Sequence, residues 1–236
     1  MNPAEVYPLI AIPSYDGTCQ LDTLEAVQLS SRRWEPKIVT QRSSALGNCF
    51  NRLWVTALNS RAGGITHFAM LHSDVIPEVG WLDKMMDIMA DKGADVLSVI
   101  IPIKSTEGLT STALDTGGRW KVNRFTMKQV HKMPATFTHP KLLLNTGLML
   151  VDLRKPWVER VYFTIRDSIV RDESGRFRPV MMSEDWDFSR QATALEAKLW
   201  ATREVSVRHV GRALYGNDSA WGSMEVDTVN GEARLI

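Results

Sequence analysis

The sequence predicts an α/β protein, a Rossmann-like three-layer α/β/α sandwich with a mostly parallel central sheet and a small antiparallel addition. Three observations lead to this class. Short apolar runs alternate along the chain with segments of helical periodicity. Several of the apolar runs end in polar turns, as strands do at the ligand-binding edge of open α/β sheets. With 44% hydrophobic and 23% charged residues, the 236 residues suffice for one globular domain, predicted over residues 1–236.

The first β-α-β unit is predicted between residues 6 and 40. Val6 to Ile12 is a short apolar run, and the polar turn Pro13-Ser14-Tyr15-Asp16-Gly17 closes it, which indicates a strand and its ligand-facing loop. A helical pattern begins at Thr18, and Lys37-Ile38-Val39-Thr40 is typical of a β-branched strand. Strand, helix and strand in this order predict parallel pairing with a right-handed crossover.

A second crossover leads to the strand that we place at the centre of the fold. Ser43 and Ser44 are positioned to cap a helix. The apolar face of this helix is Leu46, Phe50, Leu53, Trp54 and Ala57. The apolar run from Ile65 ends abruptly at His72-Ser73-Asp74, and Pro77 prevents its continuation. Because ligands bind outside the carboxyl ends of such strands, this turn is predicted to lie in a cleft.

The middle of the chain predicts a helix over residues 79–92, which Gly93 ends, and a buried strand from Asp95 to Ile101. Residues 103–139 are irregular and suit loops and short antiparallel pieces that order over a substrate. A core strand follows from Leu142 to Val151, and the small polar group Asn145-Thr146-Gly147 interrupts it.

The last third of the chain is less regular. A helix is predicted around Val158 to Val170, and a second helix begins at Ser183 with acids in its first turn, where the helix dipole favours them. A last strand is predicted from Leu199 to Val207. Residues 212–236 are polar and contain glycine, which suggests a mobile flap or a partner-binding arm.

Composition and termini restrict the class of protein further. The formal net charge of +1 neither requires nor forbids a polyanionic partner. Cys19 and Cys49 are too few for a disulfide framework or a zinc quartet, and they indicate a reducing compartment. No apolar run approaches about 18 residues, and residues 1–5 lack a signal-peptide pattern. A cytoplasmic protein without a membrane span is therefore expected, and its oligomeric state is left open.

Three polar clusters follow predicted elements: His72-Ser73-Asp74, Glu184-Asp185 and His209. A carboxylate with an imidazole suits a divalent cation such as Mg²⁺ or Mn²⁺, which keeps positions for phosphate oxygens. A separate carboxylate can act as general base toward an acceptor hydroxyl. Each cluster also has a plainer interpretation: Asp74 can bond its own turn, the paired acids can favour a helix N-terminus, and His209 can be structural.

Six segments then occur in one order along the chain. They are Ile12-Pro13-Ser14-Tyr15-Asp16, Arg42 to Leu53, His72-Ser73-Asp74, Asn145-Thr146-Gly147, Ser183-Glu184-Asp185 and His209-Val210-Gly211. In this order the segments resemble the GT-A glycosyltransferases, specifically the family 2-like enzymes that use nucleotide-sugar donors. The resemblance implies a GT-A fold with a nucleotide-binding half over residues 1–101, an acceptor-binding half over 102–211 and a tail or flap over 212–236.

The resemblance also implies roles for individual residues. Contacts to a nucleoside diphosphate sugar are implied for Pro13, Tyr15, Asp16, Arg42, Asn48, Asn51, Ser73, Lys104, Asn145, Thr146 and Gly147. Asp74 matches the last acid of the family's Asp-X-Asp motif and would bind Mn²⁺ or Mg²⁺ with His209. The first acid of that motif is His72 here, a departure that leaves its metal or ribose contact open. Asp185 would be the base of an inverting displacement, and Glu184 would support the acceptor or the donor sugar.

Two alternatives to a glycosyltransferase stay open. One is a nucleotidyltransferase of similar fold, although Pro13-Ser14-Tyr15-Asp16-Gly17 is not the Gly-rich phosphate loop expected there. The other is a non-catalytic module that binds nucleotide-sugars.

The acceptor is also open between a glycan, a protein, a small molecule and a modified DNA base. A DNA acceptor would need cationic side chains, and a modified base would have to leave the stack. The cationic candidates are Arg119, Lys121, Arg124, Lys128, Lys132, Arg171, Arg176 and Arg178. Scattered charges of this kind also suit a solvated loop face.

Overall fold

The computed structural model describes residues 6–227. Within them the strands are β1 (Pro8–Ser14), β2 (Lys37–Arg42), β3 (His67–Leu71), β4 (Val75–Pro77), β5 (Val96–Val99), β6 (Leu109–Asp115), β7 (Val122–Thr126), β8 (Thr136–Phe137), β9 (Leu142–Leu143), β10 (Leu148–Asp152), β11 (Arg166–Arg171), β12 (Phe177–Met182), β13 (Leu199–Thr202), β14 (Val207–Val210) and β15 (Leu214–Gly216). The α-helices are α1 (Leu21–Gln28), α2 (Leu46–Ser60), α3 (Trp81–Lys92), α4 (Met127–Val130) and α5 (Glu184–Ala194). Short 3₁₀ turns lie at Arg61–Gly63 and Pro156–Arg160.

The central sheet has seven strands in the order β2-β1-β3-β10-β5-β13-β8. The predicted parallel unit is confirmed, because β1 pairs parallel with both β2 and β3. However, β10 runs antiparallel between β3 and β5, and β8 is antiparallel to β13 at the edge. The sheet is therefore mixed, but five of its seven strands run in one direction, in line with the prediction of a mostly parallel sheet, and only β10 and β8 run against them. Since Leu148 pairs with Leu71, β10 enters the sheet at the carboxyl end of β3, without the crossover that a parallel strand requires.

Three small sheets flank the central one. They are the two-stranded ribbon β11-β12, the sheet β15-β14-β4 and the sheet β7-β6-β9, and all of their pairings are antiparallel. The antiparallel addition expected from the sequence is thus present as three separate pieces.

The core lies on both faces of the central sheet. Phe68 and Met70 of β3 pack on one face with α2, whereas Ala69 and Leu71 pack on the other face with α1 and α3. This alternation explains why the strand reads as a continuous apolar run. The buried indole of Trp54 on α2 donates to Val161 O at 3.1 Å, so its polar atom is satisfied inside the core.

The helix predicted around residues 158–170 is wrong. A 3₁₀ turn at Pro156–Arg160 is followed by β11, which forms a hairpin with β12. The turn between the strands is built by Asp172, whose Oδ1 accepts from the backbone N–H groups of Ser174 and Arg176. Gly175 has φ +79°, a conformation that glycine adopts without strain. Local turn chemistry therefore decides the structure of this segment.

Other element boundaries also differ from the prediction. The strand expected over 199–207 is divided into β13 and β14. The N-cap of α2 is Ala45 rather than Ser43 or Ser44. Ser183 is the N-cap of α5, but its hydroxyl donates to the Asp185 carboxylate instead of accepting a backbone N–H. In residues 6–227 every helix is too short or too polar to span a bilayer.

The described part of the predicted tail, residues 212–227, packs against the domain. Asn217 is fully buried, and its Nδ2 donates to Ile100 O at 3.1 Å and to Val205 O at 3.0 Å. Its Oδ1 accepts from Val207 N–H at 2.9 Å. Asp227 is fully buried as well. Residues 228–236 lie outside the described part of the chain, so the expected flap is a packed segment at least as far as residue 227.

Asn217→Ala should therefore lower the free energy of unfolding by about 3 kcal/mol, because it leaves buried backbone groups without their hydrogen-bond partners. Chemical denaturation followed by tryptophan fluorescence measures the change. Asn48→Ala is the matched control, since Asn48 is exposed and should change stability by less than about 0.5 kcal/mol. Equal stability of Asn217→Ala and wild type would contradict a structural role for this part of the tail.

Candidate active site

Asp74 and His209 are brought together by the pairing of β4 with β14. His209 lies opposite Val75 in this pair, and Val210 N–H donates to Asp74 O at 2.8 Å. As a result His209 Nε2 lies 3.6 Å from Asp74 Oδ1. Two residues 135 positions apart in the sequence, 209 − 74, thus form one polar cluster at the carboxyl end of β3.

Lys104 completes this cluster through an ion pair between its Nζ and Asp74 Oδ2. Gly211 makes room for the lysine, since a Cβ at this position would lie 3.1 Å from Lys104 Cδ. Burial alone would raise the pKa of Asp74, but the His209 ring and the Lys104 ammonium beside it hold that pKa well below its usual range. Asp74 is therefore a carboxylate at any physiological pH.

The loop that carries Lys104 is fixed by the C-terminal segment. Ser223 N–H donates to Thr106 O at 3.2 Å, and Met224 N–H donates to Glu107 O at 3.1 Å. The backbones approach so closely that a Cβ on Gly108 would lie 2.4 Å from Trp221 O. The tail segment thus positions the loop that supplies a cation to Asp74.

Asp74 and His209 supply one carboxylate and one imidazole to this cluster. His209 Nδ1 lies 2.8 Å from Pro102 O, and because a carbonyl oxygen only accepts, Nδ1 carries the proton. In the neutral imidazole, Nε2 then presents its lone pair toward Asp74, with the second ring nitrogen bonded as in typical metal-binding histidines. Mg²⁺ and Mn²⁺ accept such a pair and leave positions for substrate oxygens. Residues 6–227 contain no group of three or more His, Cys, Asp and Glu side chains arranged to hold a metal ion.

His72 lies beside this cluster but makes a different contact. Its Nε2 is 3.3 Å from Thr146 Oγ1, and its ring is 5.2 Å from that of Phe50. Burial lowers the pKa of His72 to about 4, so its imidazole is neutral at physiological pH. Its backbone N–H donates to Gly147 O at 2.9 Å. The structure therefore places His72 against the segment of residues 144–147.

Asn145 and Gly147 shape that segment. Asn145 is buried, its Nδ2 donates to Val99 O at 2.7 Å, and its Oδ1 accepts from Gly147 N–H at 3.1 Å. A Cβ on Gly147 would lie 2.7 Å from Ile101 Cδ1, so a larger residue would displace a core side chain. The interruption predicted in the strand over 142–151 is thus a tight, internally bonded turn between β9 and β10.

The Glu184-Asp185 pair begins α5. Glu184 is 8% exposed, and Asp185 Oδ1 accepts from the Ser183 hydroxyl and, at 2.8 Å, from Trp186 N–H. Burial, with the charge of Glu184, raises the pKa of Asp185 to about 7. Burial also raises the pKa of Glu184. A carboxyl group that titrates near neutral pH can accept a proton and release it during a reaction cycle.

Ser189 links the acid pair to the turn between β9 and β10. Its hydroxyl donates to Asp185 O at 2.9 Å and accepts from Leu144 N–H at 2.9 Å. Ser189 was not among the predicted site residues, although its position four residues after Asp185 places both on one helix face. Residues 144–147 therefore contact α5 at one end and His72 at the other.

The predicted donor-binding residues of the first loop gather at the same edge of the sheet. Gln20 N–H donates to Ser73 O at 2.9 Å, which joins the loop after β1 to the turn after β3. Pro13 is buried, whereas Tyr15 is 68% exposed, and the hydroxyl of Thr18 donates to exposed Asp16 at 2.6 Å. Hydrogen bonds from Thr18 lower the pKa of Asp16.

Arg42, Asn48 and Asn51 lie around the second crossover. A Cβ added to Gly17 would lie 3.2 Å from Arg42 Cδ. The side chain of Arg42 therefore crosses the loop after β1. Asn48 and Asn51 line a cavity of about 330 Å³ with Phe163. Asn51 uses both ends of its amide on the Phe163 backbone, at 2.6 and 2.8 Å. The structure thus places Arg42 beside the first loop and gives Asn51 a structural contact.

No protein-family model matches this sequence, and no curated protein matches it. Among solved structures, A197 from STIV matches with a TM-score of 0.56 and 14% sequence identity over 97% of this chain and 100% of that chain. At this identity the match shows a shared fold. A protein from Entamoeba histolytica described as a UDP-N-acetylglucosamine pyrophosphorylase matches with a TM-score of 0.44 and 10% identity over 84% of this chain and 73% of that chain.

Proposed function

We propose that this protein is a glycosyltransferase of GT-A type, which transfers a sugar from a nucleoside diphosphate sugar to an acceptor hydroxyl. One observation carries the proposal. The turn of residues 144–147 contacts both His72, beside the cluster of Asp74, Lys104 and His209, and α5, which begins with Asp185, the carboxyl group whose pKa is raised to about 7. A glycosyl transfer needs a charged group for the leaving diphosphate and a separate base for the acceptor, and these two clusters supply the required chemistry.

The donor side of the site is the Asp74 cluster. Asp74 and His209 would hold Mn²⁺ or Mg²⁺, and the bound ion would supply positive charge to the departing diphosphate. Lys104 would release Asp74 and meet a phosphate oxygen as a point charge, because its side chain is exposed and its ammonium can rotate. The loops at Pro13–Asp16 and Arg42 would border the base and the ribose. Gly147 would allow the donor to approach the backbone closely.

On the acceptor side, Asp185 would take the proton of the acceptor hydroxyl. The hydroxyl oxygen then forms a bond to the anomeric carbon, while the bond from that carbon to the diphosphate oxygen breaks. Direct displacement of this kind inverts the anomeric configuration. Buried Glu184 would orient the sugar or the acceptor, and its charge helps to keep the pKa of Asp185 near 7.

A panel of nucleoside diphosphate sugars tests this function by calorimetric binding and by release of the nucleoside diphosphate. We expect one donor to bind with Mn²⁺ or Mg²⁺ present, to lose at least tenfold in affinity with chelator, and to be hydrolysed slowly. A nucleotidyltransferase would instead consume a nucleoside triphosphate with a sugar phosphate and release pyrophosphate. A binding module would bind the donor without turnover. Absence of binding to every donor with metal present would contradict the proposal.

A further inference from the structure

We infer that a basic groove between the β11-β12 ribbon and the β6-β7 loop binds the phosphate backbone of duplex DNA. The groove encloses about 960 Å³. The side chains that define it are Arg119, Trp120, Lys121, Arg171, Arg176 and Arg178. These residues come from two segments that are about 50 positions apart in the sequence, and the fold brings them to one place.

The charge of the groove is strongly positive. Its five cationic side chains are all exposed, and they face two acids, Asp172 and Glu173. Asp172 is committed to the hairpin turn and lies 3.4 Å from the Arg178 guanidinium. A net charge of five minus two, or +3, therefore remains in a groove of a protein whose overall net charge is +1. Such a local excess suits a polyanion, and guanidinium groups match phosphate oxygens in pairs.

Two other basic residues of the same region, Lys128 and Arg124, pair with carboxylates of the C-terminal segment. Lys128 Nζ lies 2.6 Å from the carboxylate of Glu225, and Arg124 Nε lies 3.0 Å from that of buried Asp227. Carboxylates of the C-terminal segment thus neutralise these two cations, whereas the five cationic side chains of the groove are exposed to solvent. The structure thus divides the basic residues that the sequence grouped together: some line the groove, and Arg124 and Lys128 form ion pairs with the C-terminal segment.

The shape of the ribbon favours duplex DNA over other polyanions. Strands β11 and β12 pair with each other, have six residues each and are mostly exposed. Six residues extend about 20 Å. A two-stranded antiparallel ribbon can enter the major groove of B-DNA, which is about 12 Å wide. Arg171 stacks on Phe177 at 4.1 Å, which holds its guanidinium at the end of the ribbon.

The position of the groove connects it to the candidate base. Strand β12 ends at Met182, directly before Ser183 and the acid pair. Trp120 from the groove wall and Trp186 from α5 pack on one small cluster that includes Met182. Strand β12 thus runs from the groove to the start of α5. Binding of DNA to the groove is independent of the proposed function. A role for this DNA as the carrier of the acceptor hydroxyl rests on the proposed function.

Fluorescence anisotropy with a labelled 20-base-pair duplex and the full chain tests the inference. We compare Lys121→Glu/Arg176→Glu, which has one change in each wall, with Arg32→Glu/Lys37→Glu, which makes the same change of charge at exposed positions of another surface. The groove variant should bind at least tenfold more weakly, and the slope of log affinity against log salt should fall by about 2, since each phosphate contact contributes about 0.9. The control should stay within about twofold of wild type.

Several results would overturn the inference: equal losses in both variants, a flat salt response, or tighter binding of heparin or single-stranded DNA than of the duplex. Donor binding, measured on the same preparations, separates the two proposals. A groove variant that binds donor normally but has lost the duplex supports the groove as DNA site. A wild type that binds donor but no duplex overturns the DNA inference and leaves the glycosyltransferase proposal standing.

Discussion

We expect Asp185→Asn to lower the rate of sugar transfer by about 10²- to 10⁴-fold, the usual contribution of a positioned general base. Donor affinity should change little, because Asp74, Lys104 and His209 form a separate cluster. Asparagine keeps one acceptor oxygen for the Ser183 hydroxyl and for Trp186 N–H, so the start of α5 should remain intact. The measurement is steady-state transfer, or donor hydrolysis until the acceptor is known, beside donor binding.

The pH dependence gives this prediction an independent readout. A base must be unprotonated, so the wild-type rate should rise with pH through about 7, where Asp185 titrates. Residual activity of Asp185→Asn should lack this step. A rate that is independent of pH between 5 and 9 in the wild type would contradict the assignment of the base.

The stability of the wild-type fold should fall as pH rises, whereas the rate of transfer rises. The pKa of Asp185 is raised on folding, so the stability that its protonated form provides is complete near pH 4 and is lost as pH rises through about 7. Asp185→Asn removes this loss and should raise Tm by about 2–4 °C at pH 8, with little change at pH 4. Glu35→Gln, at an exposed position, is the control and should show no difference between the two pH values. A lower Tm for Asp185→Asn at pH 8 would indicate that the carboxylate is structural.

Local patterns in the sequence predicted the elements that periodicity defines. The apolar face of α2 and the helix that ends at Gly93 are found as expected, because burial of one helix face leaves a regular trace in the sequence. The parallel pairing of β1 with β2 and β3 followed from the order of strand and helix. For these elements the periodicity or order of the local sequence is enough to predict the structure that the whole fold adopts.

Long-range pairing explains what the sequence did not predict. Nothing in the apolar run of β10 indicates its direction, which depends on where the preceding turn reaches the sheet. The ion pair of Lys104 with Asp74 depends on a loop that the C-terminal tail holds in place. The β11-β12 hairpin has a local signal, the turn from Asp172 to Gly175, which lies just after the helix predicted around residues 158–170.

The second large effect is expected for Asp74→Ala. Removal of this carboxylate leaves His209 as the one proposed protein ligand of the cation, so donor affinity in Mn²⁺ should fall by at least about 100-fold, and chelator should have no further effect. Calorimetric titration of the donor, with and without Mn²⁺, measures both quantities. The fold should persist, because the ion pair with Lys104 is partly exposed and such pairs contribute little to stability.

Lys104→Met is the matched variant, since it removes the other partner of the same ion pair. If a divalent ion binds at Asp74 and His209, Lys104→Met should weaken donor binding less than Asp74→Ala does and should keep its dependence on metal. The opposite pattern, a wild type that is insensitive to chelator and a Lys104→Met variant that no longer binds donor, would assign the cationic role to the Lys104 ammonium. Because Lys104 and the metal would compete for Asp74, the two variants together identify which cation meets the diphosphate.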